Sequence, residues 1–409
     1  MTSSLFKHSS IIFIGIMVAN FFAYILQIYL GRALGPIDYG VFGSLMALLL
    51  ILSVPINVIG NVITRFVSIF RANGFYGKIN SFMFSSIKKL LSYGIIGFVL
   101  ISLLSPFIAS YLNIDSNLPI ILVGLTVLFS LFVPIVRGIL QGLQKFNALS
   151  LNINLESIIR LILAFILVGV LGFTSNGAIL SYGLAYLFAF LLAFIPLKFL
   201  FGKEDKKIDI EEIYHYAYPV LISTIFLVVL INIPTIFVKH YFSSLEAGYW
   251  NATLTISRLV QYISIAFSGV MFATVSEKFA KGESTKKLLN ESLLYVFVIC
   301  SLVVIPLILF PEFVIQTLFG NEYIPGAYLL KWFSLVFLFY SINYLFVNYE
   351  LALKRFRFIY YLGLFVLLEI ILIFLLHQSL INIIYILFAV NLLFLLIQIF
   401  RIFIYLSKS

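Results

Sequence analysis

Four ionisable side chains fall inside long apolar runs of this 409-residue chain: Glu156, Arg160, Arg258 and Glu369. A charge in hydrocarbon is costly, so such residues face protein or water and mark candidate sites for anions, cations or protons. Glu156 and Arg160 stand four apart in the favourable order for an ion pair along one helix. That pair is either structural or one that an anionic ligand opens. Arg258 has no acid three or four residues away. It is the best single candidate for holding something negative, because a guanidinium stays charged and offers phosphate oxygens a planar fork of donors. The rival reading is a salt bridge to an acid on another helix, such as Glu369. Glu369 lies near the place in its run that Glu156 holds in an earlier one. Glu156 and Glu369 are therefore the candidates for a coupling proton or Na+.

Uncharged polar residues extend this set. Asn20, Tyr24, Gln27 and Gly31 recur at three- and four-residue steps in the first apolar run. Asn57, Asn61, Thr64 and Ser68 do so in the second, and Asn251, Thr255, Arg258 and Gln261 in the eighth. At about 100° per residue each group shares one helix face. Polar faces turned to lipid are costly, so these faces are expected to turn inward. They serve either as interhelical hydrogen bonds or as the wall of a hydrated cavity. The candidate substrate-binding set is Arg258, Arg160, Asn61, Asn57, Asn251, Thr255, Gln261 and Gln27.

The elements that carry these residues follow from composition. Apolar residues make up 63% of the chain and charged residues 10%, against about 25% charged in a soluble domain. Spanning helices need about 20 mostly apolar residues. Twelve such runs are present, from 9–30 and 41–64 through 151–172 and 247–272 to 358–377 and 380–404. They are too long and too uniformly apolar for membrane strands. The fold class expected is an all-α polytopic membrane protein. Internal prolines (Pro55, Pro134, Pro219, Pro234) mark kinks or hinges.

Lys and Arg fix the expected orientation. Eighteen of them fall in even-numbered gaps between runs, Arg137 and Lys145 included, and three in odd ones: Arg32, Lys239 and Lys331. Even gaps and both termini are expected to be cytoplasmic. That distribution accounts for the net charge of +10 without any nucleic-acid partner. The single cysteine, Cys300, leaves no internal disulfide and reads as a small buried residue. No phosphate-binding G-x-x-x-x-G-K-[ST], G-x-S-x-G or H-E-x-x-H pattern occurs. The pattern calls for no catalytic residue, metal or cofactor.

The stretch Gly31–Gly43, G-R-A-L-G-P-I-D-Y-G-V-F-G, breaks the apolar run with four glycines and Pro36. It reads as the return between two crossings. Asp38 and Gly40 are echoed by Glu246 and Gly248 at an offset of 208, and Lys145-Phe146 by Arg355-Phe356 at 210. The chain thus reads as two similar halves: 1–202, a charged cytoplasmic linker 203–212, and 213–409.

Together these features resemble the polysaccharide transport family, the O-antigen-type oligosaccharide flippases of the multidrug/oligosaccharidyl-lipid/polysaccharide exporter superfamily. The resemblance is carried by R-A-L-G-P-I-D-Y-G at Arg32–Gly40, with Arg32, Gly35, Pro36, Asp38 and Gly40 as motif residues. E-A-G-Y at Glu246–Tyr249 and R-G-I-L-Q-G-L-Q-K-F at Arg137–Phe146 add to it. It implies two six-helix lobes around a central cavity and alternating access. It also implies export of a lipid-linked oligosaccharide, on an undecaprenyl or dolichol phosphate or pyrophosphate carrier, from the cytoplasmic to the outer leaflet. A cation-coupled multidrug exporter of the same superfamily would favour a carboxylate-rich cavity. A glycan polymerase or glycosyltransferase would favour an outer loop that this chain lacks. A non-transporting scaffold would not need the polar stripes.

Overall fold

A computed structural model describes residues 2–202 and 214–406. The linker 203–212 lies outside the described residues. Everything described is helix, turn or short connection. The chain divides into two compact units, Met1–Leu221 and Ile222–Ser409.

The first unit holds α1 (Thr2–Leu52), α2 (Val54–Ala72), α3 (Tyr76–Tyr111), α4 (Leu118–Ser130), α5 (Val133–Gly142), α6 (Phe146–Ala164) and α7 (Thr174–Leu197). A π-helical turn, Phe165–Val170, continues α6. Then come α8 (Tyr214–Tyr241), which crosses into the second unit, α9 (Ser244–Ala280), α10 (Lys286–Leu309), α11 (Pro311–Leu318), α12 (Ala327–Ala352), α13 (Phe358–Leu375) and α14 (Leu380–Leu406).

Among the described residues eleven helical stretches are long and apolar enough to cross a membrane. One of them, Ile14–Leu52, joins two helices across Gly35 and so holds the first expected run and the start of the second. The second run is itself interrupted. It breaks at Ser53, ahead of Pro55 in the first turn of α2. Its first part joins the continuous apolar stretch Ile14–Leu52, and its second part continues into α2 with Arg65 and Arg71. Pro134 does the same between α4 and α5. A proline lacks the N–H that would close the preceding turn, so these two mark helix starts.

The return at Gly31–Gly43 is tighter than the sequence suggests, because helix persists on both sides of a single residue. Gly35 has φ 65° and ψ 172°, a conformation open essentially to glycine alone. The Tyr39 hydroxyl reaches Gln27 Oε1 at 3.0 Å. Twelve residues of straight helix would separate the two positions by about 18 Å, so the chain folds back here. Counting from Gly35 as the cap, Pro36 takes the first helical position and Asp38 the third, where proline and acid suit a helix start. The second copy solves the same problem with a capping box. Glu246 N donates to Ser243 Oγ at 3.3 Å, and Ser243 N donates to Glu246 Oε2 at 3.1 Å.

The repeat extends to other turns. Gln144 and Lys354, 210 residues apart, both have positive φ. The next amide donates back to Leu140 O in one case and to Glu350 O in the other. Gly74 and Gly282, 208 apart, close α2 and α9 in the same way.

Close approach explains the Arg137–Phe146 motif. A Cβ at Gly138 would meet Gly60 O at 2.8 Å, and one at Gly142 would meet Val67 Cβ at 2.7 Å. The two glycines let α5 lie against α2, small residues admitting backbone contact as in other membrane helices. Ile63, Val67, Val136, Ile139 and Leu140 fill the core there. In the second unit Ser264 Oγ donates to Ser341 O at 2.6 Å, tying α9 to α12. Cys300 is buried with its thiol 3.5 Å from Val260 O.

Two basic residues sit otherwise than expected. Arg137 belongs to α5, within the apolar stretch Leu118–Gly142, and not to a loop. Lys239 lies in the last turn of α8 and is 1% exposed.

Candidate functional site

In the first unit the charged residues meet. α6 presents Asn152, Glu156 and Arg160 at four-residue steps, hence on one face. α5 lies alongside and supplies Arg137, which the glycines at 138 and 142 leave pointing away from α2. Arg137 Nε donates to Asn152 Oδ1 at 2.8 Å, and Arg137 Nη2 donates to Glu156 Oε2 at 2.7 Å. Arg160 pairs with the other oxygen of the same carboxylate. Asn152 Nδ2 donates to Ala189 O of α7 at 2.7 Å, which fixes the amide that receives Arg137. The Arg160 guanidinium lies over the ring of Tyr182, 4.4 Å from its centroid, with the Tyr186 ring at 5.3 Å. Tyr182 is joined through its hydroxyl to Gln27 of α1.

Two guanidiniums thus share one carboxylate, and the group carries one net positive charge. Glu156 is 5% exposed at its side chain, Arg160 12% and Arg137 22%. A buried charge is sustained only when paired and hydrogen-bonded. The pairing of Glu156 with Arg160 was legible from the spacing. Arg137, the second cation, was not, because it stands 19 residues from Glu156. The signal available was the R-G-x-x-x-G pattern, which places Arg137 opposite a packing face.

The other first-unit candidates stand apart from this group. Asn61 is exposed, as is Ser68, while the opposite face of α2 packs on α5. The side chain of Asn57 lies outside the described residues. Among the motif residues, Arg32 is exposed, Gly35 and Asp38 half-buried, and Pro36 and Gly40 buried. A cavity of about 430 Å³ opens at the start of α6, lined by Ile11, Lys145, Asn147 and Pro196 among others. Arg137, Glu156 and Arg160 do not line it. There Lys145 Nζ donates to Pro196 O at 2.7 Å and lies 3.8 Å from the Phe199 ring centroid. Burial draws its ammonium below the usual lysine value.

In the second unit Arg258 and Glu369 form no ion pair among the described residues. Arg258 Nη2 donates to Asn232 Oδ1 of α8 at 2.8 Å, and its buried Nε has no hydrogen-bond partner among the described residues. No ion pair joins it to Glu369 or to any other described acid. Asn251, Thr255 and Gln261 share its helix; Asn251 is buried and the other two half-buried. Glu369 is 0% exposed on α13, and neither carboxylate oxygen has a hydrogen-bond partner among the described residues. Asn343 Nδ2 donates to Asn391 O at 2.9 Å, yet the side-chain oxygens of both amides have no hydrogen-bond partner among the described residues. Near the ends of α12 and α14, Glu350 pairs with Arg401 at 3.4 Å. Asn232 was missed because it is 26 residues from Arg258 and nothing in its own run marks it.

Residues 5–279 match the model of the family described as polysaccharide biosynthesis protein. The chain belongs to that family. The match covers α1 through nearly all of α9, and so both Arg160 and Arg258. An uncharacterized membrane protein of Methanocaldococcus jannaschii is 28% identical over 268 residues, 62% of this chain and 63% of that protein. The chain thus spans less than two thirds of the length of that curated relative. Among solved structures, an inward-facing multidrug resistance MATE family transporter of the MOP superfamily superposes with TM-score 0.76 at 13% identity, over 96% of each chain. The lipid II flippase MurJ, in an inward closed conformation, gives 0.68 at 16% identity, over 94% of this chain and 87% of its own. At such identities the likeness is one of fold. This family member has the two-lobed, all-helical fold of those MOP superfamily transporters.

Proposed function

We propose that the protein carries a lipid-linked oligosaccharide from the cytoplasmic to the outer leaflet of the cell membrane, by alternating access and without chemistry on the glycan. The observation that carries this reading is the Arg137–Glu156–Arg160 group. Two guanidiniums and one carboxylate inside an apolar helix bundle leave one uncompensated positive charge. In a low dielectric such a charge attracts an anion far more strongly than it would in water. A carboxylate bridging two guanidinium forks also marks out where a phosphate of the carrier lipid would sit. Arg258, held by a neutral amide alone, is a second phosphate ligand, with Asn251, Thr255 and Gln261 beside it. Membership in a polysaccharide biosynthesis family supports a glycan as the cargo.

Glu369 is the candidate for the coupling proton or Na+, because a buried carboxylate without a hydrogen-bond donor is stable only when neutralised. Both termini and the linker 203–212 are placed in the cytoplasm on the distribution of Lys and Arg. The reading as a cation-coupled multidrug exporter draws on the MATE-like fold, but a net positive site would repel a cationic drug.

The test is the glycan that accumulates when the protein is removed. Cells lacking it are expected to hold lipid-linked oligosaccharide with its sugars complete on the inner leaflet. A product one sugar short would indicate a glycosyltransferase and overturn the transport reading.

A further inference from the structure

Arg160 is held by more than Glu156. The flat face of its guanidinium lies 4.4 Å from the centroid of the Tyr182 ring. Contact with an aromatic face is directional, so where Tyr182 stands fixes in part where Arg160 points. Tyr182 is in turn anchored at its hydroxyl, which accepts from Gln27 Nε2 at 3.0 Å. The other end of the same amide, Gln27 Oε1, accepts from the Tyr39 hydroxyl at 3.0 Å. Tyr39 is 1% exposed and lies four residues past the bend at Gly35. Tyr39, Gln27, Tyr182 and Arg160 therefore form a relay from the bend in α1, across α7, to the cation group on α6.

Two features distinguish this relay from ordinary packing. Gln27 and Tyr39 come from opposite arms of α1, so their hydrogen bond exists only while the bend is closed. Arg160 Nε is buried with no hydrogen-bond partner among the described residues. A small movement of the ring beneath it thus changes what the guanidinium can reach.

We propose that Tyr39 and Gln27 are positioning residues for anion binding. They hold Tyr182 against Arg160, so that closure of the α1 bend and occupancy of the Arg137–Glu156–Arg160 group are coupled. Gln27 accordingly serves the site as a strut engaged at both ends and not as a substrate ligand. The inference rests on reading that group as the phosphate site of the transported lipid.

The experiment uses the full chain in lipid nanodiscs. The probe is farnesyl pyrophosphate, a short polyprenyl pyrophosphate, and the control is farnesol, which has the tail without the charge. Tyr39→Phe removes one hydroxyl and keeps the ring. It is expected to weaken farnesyl pyrophosphate binding about 2- to 10-fold, the range for one buried hydrogen bond. Farnesol binding should stay unchanged, and the thermal midpoint should fall by no more than the loss of one hydrogen bond brings. In an Arg160→Lys background, where an ammonium replaces the flat group over Tyr182, the same substitution should change affinity by less than about twofold. Tyr182→Phe probes the link from its far side and leaves α1 intact should Tyr39→Phe fold poorly. Equal losses in both backgrounds, or no loss from either hydroxyl deletion while Arg160→Lys alone weakens binding, would overturn the positioning role. If Arg160→Lys and Arg137→Lys both bind the probe like the wild type, the phosphate-site reading itself falls.

Discussion

Arg160 on α6 and Glu369 on α13 hold corresponding places in the two units. They are 209 residues apart, within the 208 to 210 at which the turns at Gly74 and Gln144 recur. The charges are opposite and so are their surroundings. Arg160 sits in a closed group with Glu156, Arg137 and a tyrosine face. Neither oxygen of Glu369 has a hydrogen-bond partner among the described residues, while Arg258 of the same unit leans on Asn232. One helical plan thus accommodates buried charge in two ways. The first unit pairs its buried carboxylate and keeps one net positive charge, and the second leaves its carboxylate without an ion-pair partner among the described residues.

The sharpest break of this comparison is Glu156→Ala. Two guanidiniums would lose their shared counter-charge, and one-sided removal of a buried pair costs about 3–5 kcal/mol. Thermal unfolding in detergent should show the loss together with a fall in yield. Arg258→Ala, by contrast, removes no ion-pair partner; export should be lost with the yield near normal. A fall in yield as large as that of Glu156→Ala would show that the fold depends on Arg258 as much as on Glu156 and erase the difference between the units.

The two hairpins provide a second, smaller contrast. Gly35→Ala forces a Cβ into a conformation that only glycine adopts freely, at about 1–3 kcal/mol. Ser243→Ala at the matching place removes a cap and should cost about 1 kcal/mol. Unfolding midpoints of the two variants give the order directly; a larger loss at Ser243 would mean that the second bend, not the first, depends on its local chemistry.

The smallest effect on stability is expected at Glu369. Glu369→Gln keeps the shape and removes an uncompensated carboxyl, so stability should hold or rise by about 1 kcal/mol at most. Export by this variant should no longer respond to collapse of the proton or Na+ gradient. A marked loss of stability would show that Glu369 has a partner, as Glu156 does.

Much of the fold was legible because hydrocarbon imposes a simple rule. Runs of about 20 apolar residues become helices, whatever surrounds them. Asp38/Glu246 and Lys145/Arg355 revealed the repeat because each marks a helix start, where local chemistry decides. The exact ends of the crossings were less legible. Ser53 with Pro55 cuts one run, and Gly35 redirects another within a single residue. The candidate site was legible only along single helices. Glu156 and Arg160 announced themselves by spacing, as did the stripe holding Arg258. Asn61 shares a face of α2 that is exposed; periodicity fixes which residues share a face and says nothing about what the face meets.

The sequence by itself determined the helical membrane architecture, the twofold repeat, the return around Gly35 and the places of Glu156, Arg160, Arg258 and Glu369 inside apolar runs. These depend on local composition and on interactions within a few residues. Only the tertiary structure decided which charges are satisfied. It brought Arg137 onto Glu156 across 19 residues, set Tyr182 under Arg160 and left Glu369 without a donor. The physical reason is that a buried charge is stabilised by whatever stands within a few ångströms of it. In a helix bundle those neighbours come from other helices, at separations that no short-range pattern encodes.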